Sequence, residues 1–315
     1  MSSPLSSTIE WLQRGANPNH SLAPHTTYRI GGAADWYLEV GSGWSRLIRE
    51  TRERGIPVTL LGNGSNVLVA DEGVEGLVVH PTDASIEVRG ETVYAGAGAR
   101  MVKVAQAAAA AGLTGMEWAL GIPGMVGGSV RNNAGCFGSD IVSTVVAIHG
   151  HDPAGEERTW TTEELAFVYR GSALRDGDLA GAVVTAAEFG LAPADPAGIK
   201  SRMDEIQRQR RLTQPVSKRS TGSVFKNPPG DAAARLIDAA GLKGRTVGGA
   251  MVSPEHANFI VNAANARAAD VAELVRIVQA TIEDQSGIHL EPEIEALGRW
   301  PGGIPDAFAG PAEKT

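Results

Sequence analysis

The stretch LLGNGSNVLV, residues 60–69, interrupts a run of strand-forming residues with a turn built only from glycine, amide and hydroxyl side chains. A turn of that kind, directly after the apolar PVTLL (57–61), aims several backbone N–H groups at one point, which suits a phosphate. A second stretch, GIPGMVGGSVRNNAG (121–135), has five glycines and Pro123, a stiff loop that a ligand can approach closely. A fold that accommodates both can cradle a diphosphate between Gly62, Asn63, Gly64, Ser65 and Asn66 on one side and Gly121, Ile122, Pro123, Gly124, Gly127, Gly128 and Ser129 on the other. Taken singly, each is equally well a tight turn. Neither follows the G-x-G-x-x-G pattern, because Val67 comes after Asn66, and no G-K-[ST] occurs, so a dinucleotide here needs a different device from the Rossmann or P-loop.

Around these turns the chain alternates strands and helices. Ser42 is placed to cap a helix over 43–54. PVTLL reads as a buried strand and GLVVH (76–80) as another; SIEVRGETVYAG (85–96) reads as a hairpin turning at Gly90. VKVAQAAAAAG (102–112) is an alanine-rich helix stopped by Gly112. Strands are expected near 143–149 and 182–189, with Thr161 and Glu164 as a capping box between them. LAPADPAG (191–198) marks a break in composition, followed by a basic helix over 196–211, helices over 231–240 and 270–285, and strands over 258–262 and 289–297. From Pro301 the tail PGGIPDAFAGPAEKT has little to bury and is expected to be disordered. The boundaries that follow are 1–80, 81–195 and 196–300, with 301–315 as tail.

Charge and cysteine content narrow the partners. The net charge of −8 argues against nucleic acid, and the lack of an 18-residue apolar run argues against a membrane span. The start, MSSPLSSTIEWLQRG, is not a secretory signal, and the single Cys136 fits a reducing cytoplasm. Seven histidines show no metal-ligand spacing, so no metal is expected. Residues 200–226 nevertheless carry a charge of +6, which leaves −14 for the remainder, so a local anionic ligand is a candidate there. The alternative is a solvated helix face.

That basic segment ends in STGSVFKNPPG (220–230), where Ser223 lies between Gly222 and an apolar pair, with Lys226 and Asn227 close behind. The cation and the amide suit an anion, and the serine is either a chemical group or a turn hydroxyl. It does not sit in the G-x-S-x-G elbow of a hydrolase nucleophile.

Eight ordered motifs carry a resemblance: YRIGGAADWY, LLGNGSNVLVAD, GIPGMVGGSV followed by NAG, FVYRGS, RLTQP, GSVFKNPPG, HANFIVN and EPEIEALG. Over roughly residues 20–299 the chain resembles the UDP-N-acetylenolpyruvoylglucosamine reductases of peptidoglycan precursor synthesis. The compact GAMVSPEHANFIVN (249–262) is similar to the shorter subtype, which lacks an inserted tyrosine loop. The resemblance implies an α+β fold, with an FAD-binding fold of the vanillyl-alcohol-oxidase type in two N-terminal subdomains and a C-terminal α+β substrate domain. It implies non-covalent FAD, NADPH as co-substrate, UDP-N-acetylglucosamine enolpyruvate as substrate, and a cytoplasmic enzyme, expected to be a monomer.

It further implies that hydride reaches the enol carbon through the flavin while Ser223 donates the proton. Arg170 in VYRGS and Glu293 in EPEIE match the family's other catalytic positions. An arginine can fork onto the substrate carboxylate, and a protonated Glu293 could hydrogen-bond it. Glu291 and Glu295 share a strand face with Glu293 and are read as solvated. Tyr169, Lys226 and Asn227 match positions near the sugar nucleotide, and Arg210 is either a flavin or phosphate contact or a helix-end cation. Cys136 is read as a packing residue, and Arg131 and Asn132 depart from the residues usual at their positions. Two other readings share part of this pattern: another flavin oxidoreductase on the same fold, and a non-catalytic nucleotide-binding module.

Overall fold

The computed structural model describes residues 11–13 and 15–308. The chain forms two compact units that are not consecutive in sequence. The first comprises residues through Ala16, Leu38–Gly62 and Val79–Leu212; the second comprises Asn17–Tyr37, Asn63–Val78 and the chain from Thr213. The expected blocks 1–80, 81–195 and 196–300 are therefore interleaved, because strands distant in sequence pair with one another.

The first unit is built on a five-stranded antiparallel sheet in the order Glu157–Trp160, Val145–His151, Val183–Gly190, Thr92–Gly96, Ile86–Arg89. The last two strands are the expected hairpin, with Gly90 at φ +64° in its turn. One face buries Val93, Ala95, Ile148, Ala187 and Phe189 against the alanine-rich helix Met101–Ala110. The small Ala105 and Ala108 let that helix lie close to the sheet, and Gly112 ends it at φ +73°. The other face carries polar cross-strand neighbours: His149 Nε2 lies 3.0 Å from Glu188 Oε1. The basic helix Pro196–Thr213 adds Ile206 to this core, so the composition break at 191–198 does not separate the units.

In the second unit the long helix Ala268–Ser286 packs on the antiparallel sheet Thr246–Val247, Ala250–Val252, Ile260–Asn262 and on the helix Ala233–Ala239. Val271, Leu274, Val275 and Val278 give the helix its buried face at the expected spacing. Asp71 caps it from a distant segment, accepting from Ala268 N at 2.8 Å and Ala269 N at 3.1 Å. The strand Val67–Val69, just after the first glycine turn, pairs in parallel with Glu295–Leu297.

Several local expectations change. The strand in PVTLL is Val58–Leu60 and lies at a sheet edge, with Val58 and Leu60 each 41% exposed, so it is not buried. Gly43 rather than Ser42 holds the N-cap position of Trp44–Glu53, since the chain enters at φ +78°. Thr161 and Glu164 do form the reciprocal capping bonds, at 2.8 and 3.4 Å, but Ala166 turns to φ +42° and no helix follows. Only Glu295–Leu297 of the expected 289–297 is strand; Pro292 makes an isolated bridge to Phe225. The tail is ordered as far as Phe308, because Ala307 is buried in the second core and its carbonyl accepts from Gln279 Nε2 at 3.0 Å. The rest of the expected disordered tail, 309–315, lies outside the described residues.

Candidate active site

The apolar pair after Ser223 explains that serine's surroundings. Val224 and Phe225 are buried and clamped by Asn258: Val224 N donates to the Asn258 carbonyl at 2.9 Å, Phe225 N donates to its Oδ1 at 2.9 Å, and its Nδ2 donates to the Phe225 carbonyl at 2.8 Å. Asn258 belongs to HANFIVN, yet nothing in one sequence assigns it this task. Gly222 turns the chain at φ +84° just before Ser223. The result is a serine on a rigid segment, itself half-buried.

Facing this segment runs the EPEIE stretch. Glu293 N donates to the Val224 carbonyl at 2.8 Å, and Lys226 N donates to the Glu291 carbonyl at 2.9 Å. This register brings Ser223 and Glu293 onto adjacent segments. Leu290, Pro292 and Ile294 are buried while Glu291, Glu293 and Glu295 are half-buried, so the alternation read from sequence survives without a continuous strand. Glu291, its side chain 44% exposed, faces solvent as read but is also paired: its Oε1 lies 2.6 Å from Nζ of Lys226, whose side chain is only 17% exposed. Asn227 Oδ1 accepts from Ala233 N at 3.1 Å, so its NH₂ end is the part it can offer a ligand.

The first glycine turn joins the same assembly. Asn66 Nδ2 donates to the Glu293 carbonyl at 3.0 Å and Glu295 N donates to the Asn66 carbonyl at 2.9 Å. Asn66 thus ties the turn to Glu293. Gly64, at φ +57°, is buried; a Cβ there would lie 2.4 Å from the His25 carbonyl oxygen and 2.6 Å from Thr26 Cα. Its carbonyl accepts from Thr27 N at 3.1 Å and Thr27 Oγ1 at 3.2 Å. Glycine is required here by protein packing. Asn63 and Ser65 flank it, half-buried.

The remaining candidates belong to the first unit, where Gly62 ends the strand side of the turn. In the second glycine loop Gly124 O accepts from Met101 N at 3.1 Å, Val126 N donates to Ala99 O at 2.9 Å and Gly127 N donates to Ala97 O at 3.0 Å. Gly121 ends the 3-10 helix Glu117–Gly121, and Ile122, Pro123 and Gly124 lead from it into the short helix Val126–Arg131, in which Ser129 is buried. The glycines differ in purpose. A Cβ on Gly121 would meet Cys136 Sγ at 2.3 Å, and one on Gly127 would meet Ala97 Cβ at 3.1 Å, whereas one on Gly128 meets nothing within 4 Å. Gly128 is exposed, so its backbone is open to the approach of a ligand such as FAD.

Arg210 Nη1 donates to the Leu120 carbonyl at 2.9 Å, just before this loop, and burial lowers its pKa from the ordinary arginine value. Arg170 sits at the tip of a hairpin with φ +59°; its Nη2 donates to the Gly135 carbonyl at 2.7 Å, and its guanidinium lies 5.0 Å over the exposed Tyr169 ring. Arg131 and Asn132 bond each other at 3.3 Å, and the Arg131 carbonyl accepts from Ser172 Oγ at 2.7 Å.

Cys136 Sγ donates to the Trp118 carbonyl at 3.1 Å, and burial pushes its thiol up to about 11. At neutral pH roughly one molecule in ten thousand then carries the reactive thiolate. A colorimetric disulfide reagent is expected to leave the native protein unlabelled and to titrate one thiol after unfolding; rapid native labelling would contradict the packing role.

A family model described as an FAD binding domain matches residues 44–160, and one for the C-terminal domain of UDP-N-acetylenolpyruvoylglucosamine reductase matches residues 214–297. The chain is 43% identical to UDP-N-acetylenolpyruvoylglucosamine reductase 2 of Symbiobacterium thermophilum, over 89% of this chain and 91% of that one. It is 42% identical to the UDP-N-acetylenolpyruvoylglucosamine reductase of Halalkalibacterium halodurans, over 89% and 93%. Among solved structures it is similar to the UDP-N-acetylenolpyruvylglucosamine reductase of Thermus caldophilus, with 39% identity and a TM-score of 0.77, covering 88% of this chain and 97% of that one.

Proposed function

Because the chain belongs to the UDP-N-acetylenolpyruvoylglucosamine reductase family, we propose that Ser223, Arg170 and Glu293 carry out its reaction and that NADPH is its electron source. The protein is an FAD-dependent oxidoreductase that reduces UDP-N-acetylenolpyruvoylglucosamine in peptidoglycan synthesis. When bound, FAD supplies the hydride, drawn from NADPH, that adds to the enol carbon.

The neighbouring carbon of the substrate then carries negative charge, delocalised onto its carboxylate, and must be protonated. The Ser223 hydroxyl gives that proton; it is a weak acid, but the enolate of a carboxylate is a stronger base than a serine alkoxide, so transfer runs downhill and the alkoxide regains its proton from water. Arg170 forks onto the carboxylate and spreads the charge. Glu293 in its protonated form donates a hydrogen bond to the same group. The observation that carries this reading is the register in which Glu293 N meets the Val224 carbonyl, one residue from Ser223. Lys226 and the NH₂ of Asn227 hold the nucleotide diphosphate, with Tyr169 against the sugar nucleotide. Among the described residues no helix is long and apolar enough to cross a membrane.

The test is consumption of NADPH by the purified yellow protein with and without the enolpyruvyl sugar nucleotide. Dependence on the sugar supports the reading. Oxygen consumption that ignores it points to an oxidase on this fold, and protein lacking flavin bands points to a plain nucleotide-binding module. Lys226→Ala is expected to raise KM for the sugar nucleotide while NADPH still bleaches the flavin at the normal rate. A charge-assisted contact is worth about 1.5–3 kcal/mol, or roughly a 10- to 150-fold rise. An unchanged KM would mean that Lys226 serves only its pair with Glu291.

A further inference from the structure

We propose that Arg175 is a positioning residue that holds Arg170 in the conformation its role requires. The proposal rests on the reading of Arg170 given above. Arg170 is the second residue of a two-residue tip, closed by reciprocal bonds between Val168 and Gly171 at 3.1 and 3.2 Å. Its φ of +59° lies in the left-handed region, which a long side chain disfavours. Such a conformation persists only where the surroundings impose it.

Three side chains impose it. Asn133 Nδ2 donates to the Val168 carbonyl at 3.0 Å on one side of the tip, and Ser172 Oγ donates to the Arg131 carbonyl at 2.7 Å on the other. Of these three, Arg175 bonds the backbone of the tip residue: its Nη1 donates to the Arg170 carbonyl at 2.9 Å. That carbonyl belongs to the peptide plane that sets ψ of Arg170, whose other end, Gly171 N, donates to the Val168 carbonyl, so Arg175 is the second anchor of that plane. Arg175 is not a surface ion pair. Its side chain is 12% exposed, and the neighbouring Asp176 carboxylate, 3.5 Å from Nε, is on a side chain 70% exposed and screened by water. A guanidinium this far buried needs a fixed use for its donors.

Arg175 lies outside every motif that carried the functional reading. The bond matters because misplacing a reacting group by about 1 Å costs about 100-fold in rate. The experiment follows the flavin absorbance in rapid mixing, with the two half-reactions measured separately, in Arg175→Met, Arg175→Lys and, as control, Arg170→Lys. Arg175→Met keeps the aliphatic stem and loses the donors. It is expected to slow re-oxidation by saturating enolpyruvyl sugar nucleotide about 10- to 100-fold. Flavin content, bleaching by NADPH and KM for the sugar nucleotide stay as in the parent. Arg175→Lys retains one donor without the planar fork, so it recovers part of the rate; it carries the test alone if Arg175→Met does not fold. Parallel slowing of both half-reactions, or loss of flavin, overturns the proposal and makes Arg175 a support of the fold. Normal re-oxidation in both Arg175 variants, with Arg170→Lys impaired, also overturns it. Normal re-oxidation in Arg170→Lys overturns the reading of Arg170 itself, a separate failure.

Discussion

Ser223→Ala is expected to leave bleaching of the flavin by NADPH nearly intact and to slow its re-oxidation by the enolpyruvyl sugar nucleotide by at least about 10²–10⁴-fold, the usual contribution of a positioned general acid. The substitution removes one hydroxyl from a segment whose geometry does not depend on it. Val224 and Phe225 remain clamped by Asn258, and Glu293 N still has the Val224 carbonyl. The NADPH half-reaction needs no proton donor, so the two halves should separate cleanly. Ser223→Cys should keep part of the rate, because a thiol also donates. Equal slowing of both halves would make the residue structural, and slowing of neither would mean that the proton comes from another group.

The second large effect is expected at Gly128. Gly128→Val should give folded, colourless protein if the proposed cofactor loop is right, because its side chain fills the open space against that loop. Helix propensity does not complicate the outcome, since valine is no worse than glycine within a helix. Gly64→Val should also fail to bind FAD, but for another reason: a Cβ at φ +57° would collide with the His25 and Thr26 backbone, so the protein should melt early. Thermal melts distinguish the two. A normal melting temperature with full flavin in Gly128→Val would remove that loop from the cofactor site.

That contrast marks how far the sequence was legible. Hydrophobic period and turn residues were enough for the Gly90 hairpin, the helix stopped by Gly112 and a helix over 270–285, observed as Ala268–Ser286, because each depends on neighbours in the chain. Glycine identity was visible but glycine purpose was not: Gly64 and Gly121 admit protein atoms, and only Gly128 of this set opens onto free space. PVTLL looks buried by composition, yet its strand lies at an edge, a fact of pairing order. The roles of Arg170 and Glu293 came from motif resemblance, since an isolated arginine or a run of glutamates has no local signature. Contacts such as Asn66 with Glu293, Lys226 with Glu291 or Arg175 with Arg170 were invisible, because they depend on where the loops close. The tail looked to have little to bury, yet Ala307, with Trp300 and Phe308 packed on the same core and its carbonyl accepting from Gln279, ties it down as far as Phe308.

The parallel pairing of Val67–Val69 with Glu295–Leu297 has a bearing on how the protein is made. Asn66 finds its partner 227 residues downstream, so this tie cannot form on a nascent chain until Glu293 has been made, although Thr27 already holds the Gly64 carbonyl of the same turn. At ordinary elongation rates that interval is roughly ten to fifty seconds. The long loop must close before either segment is rewarded, which places the step late and makes it slow. A chain made only as far as Leu212, the last residue that the first unit draws from the sequence, therefore still lacks the partner of this turn.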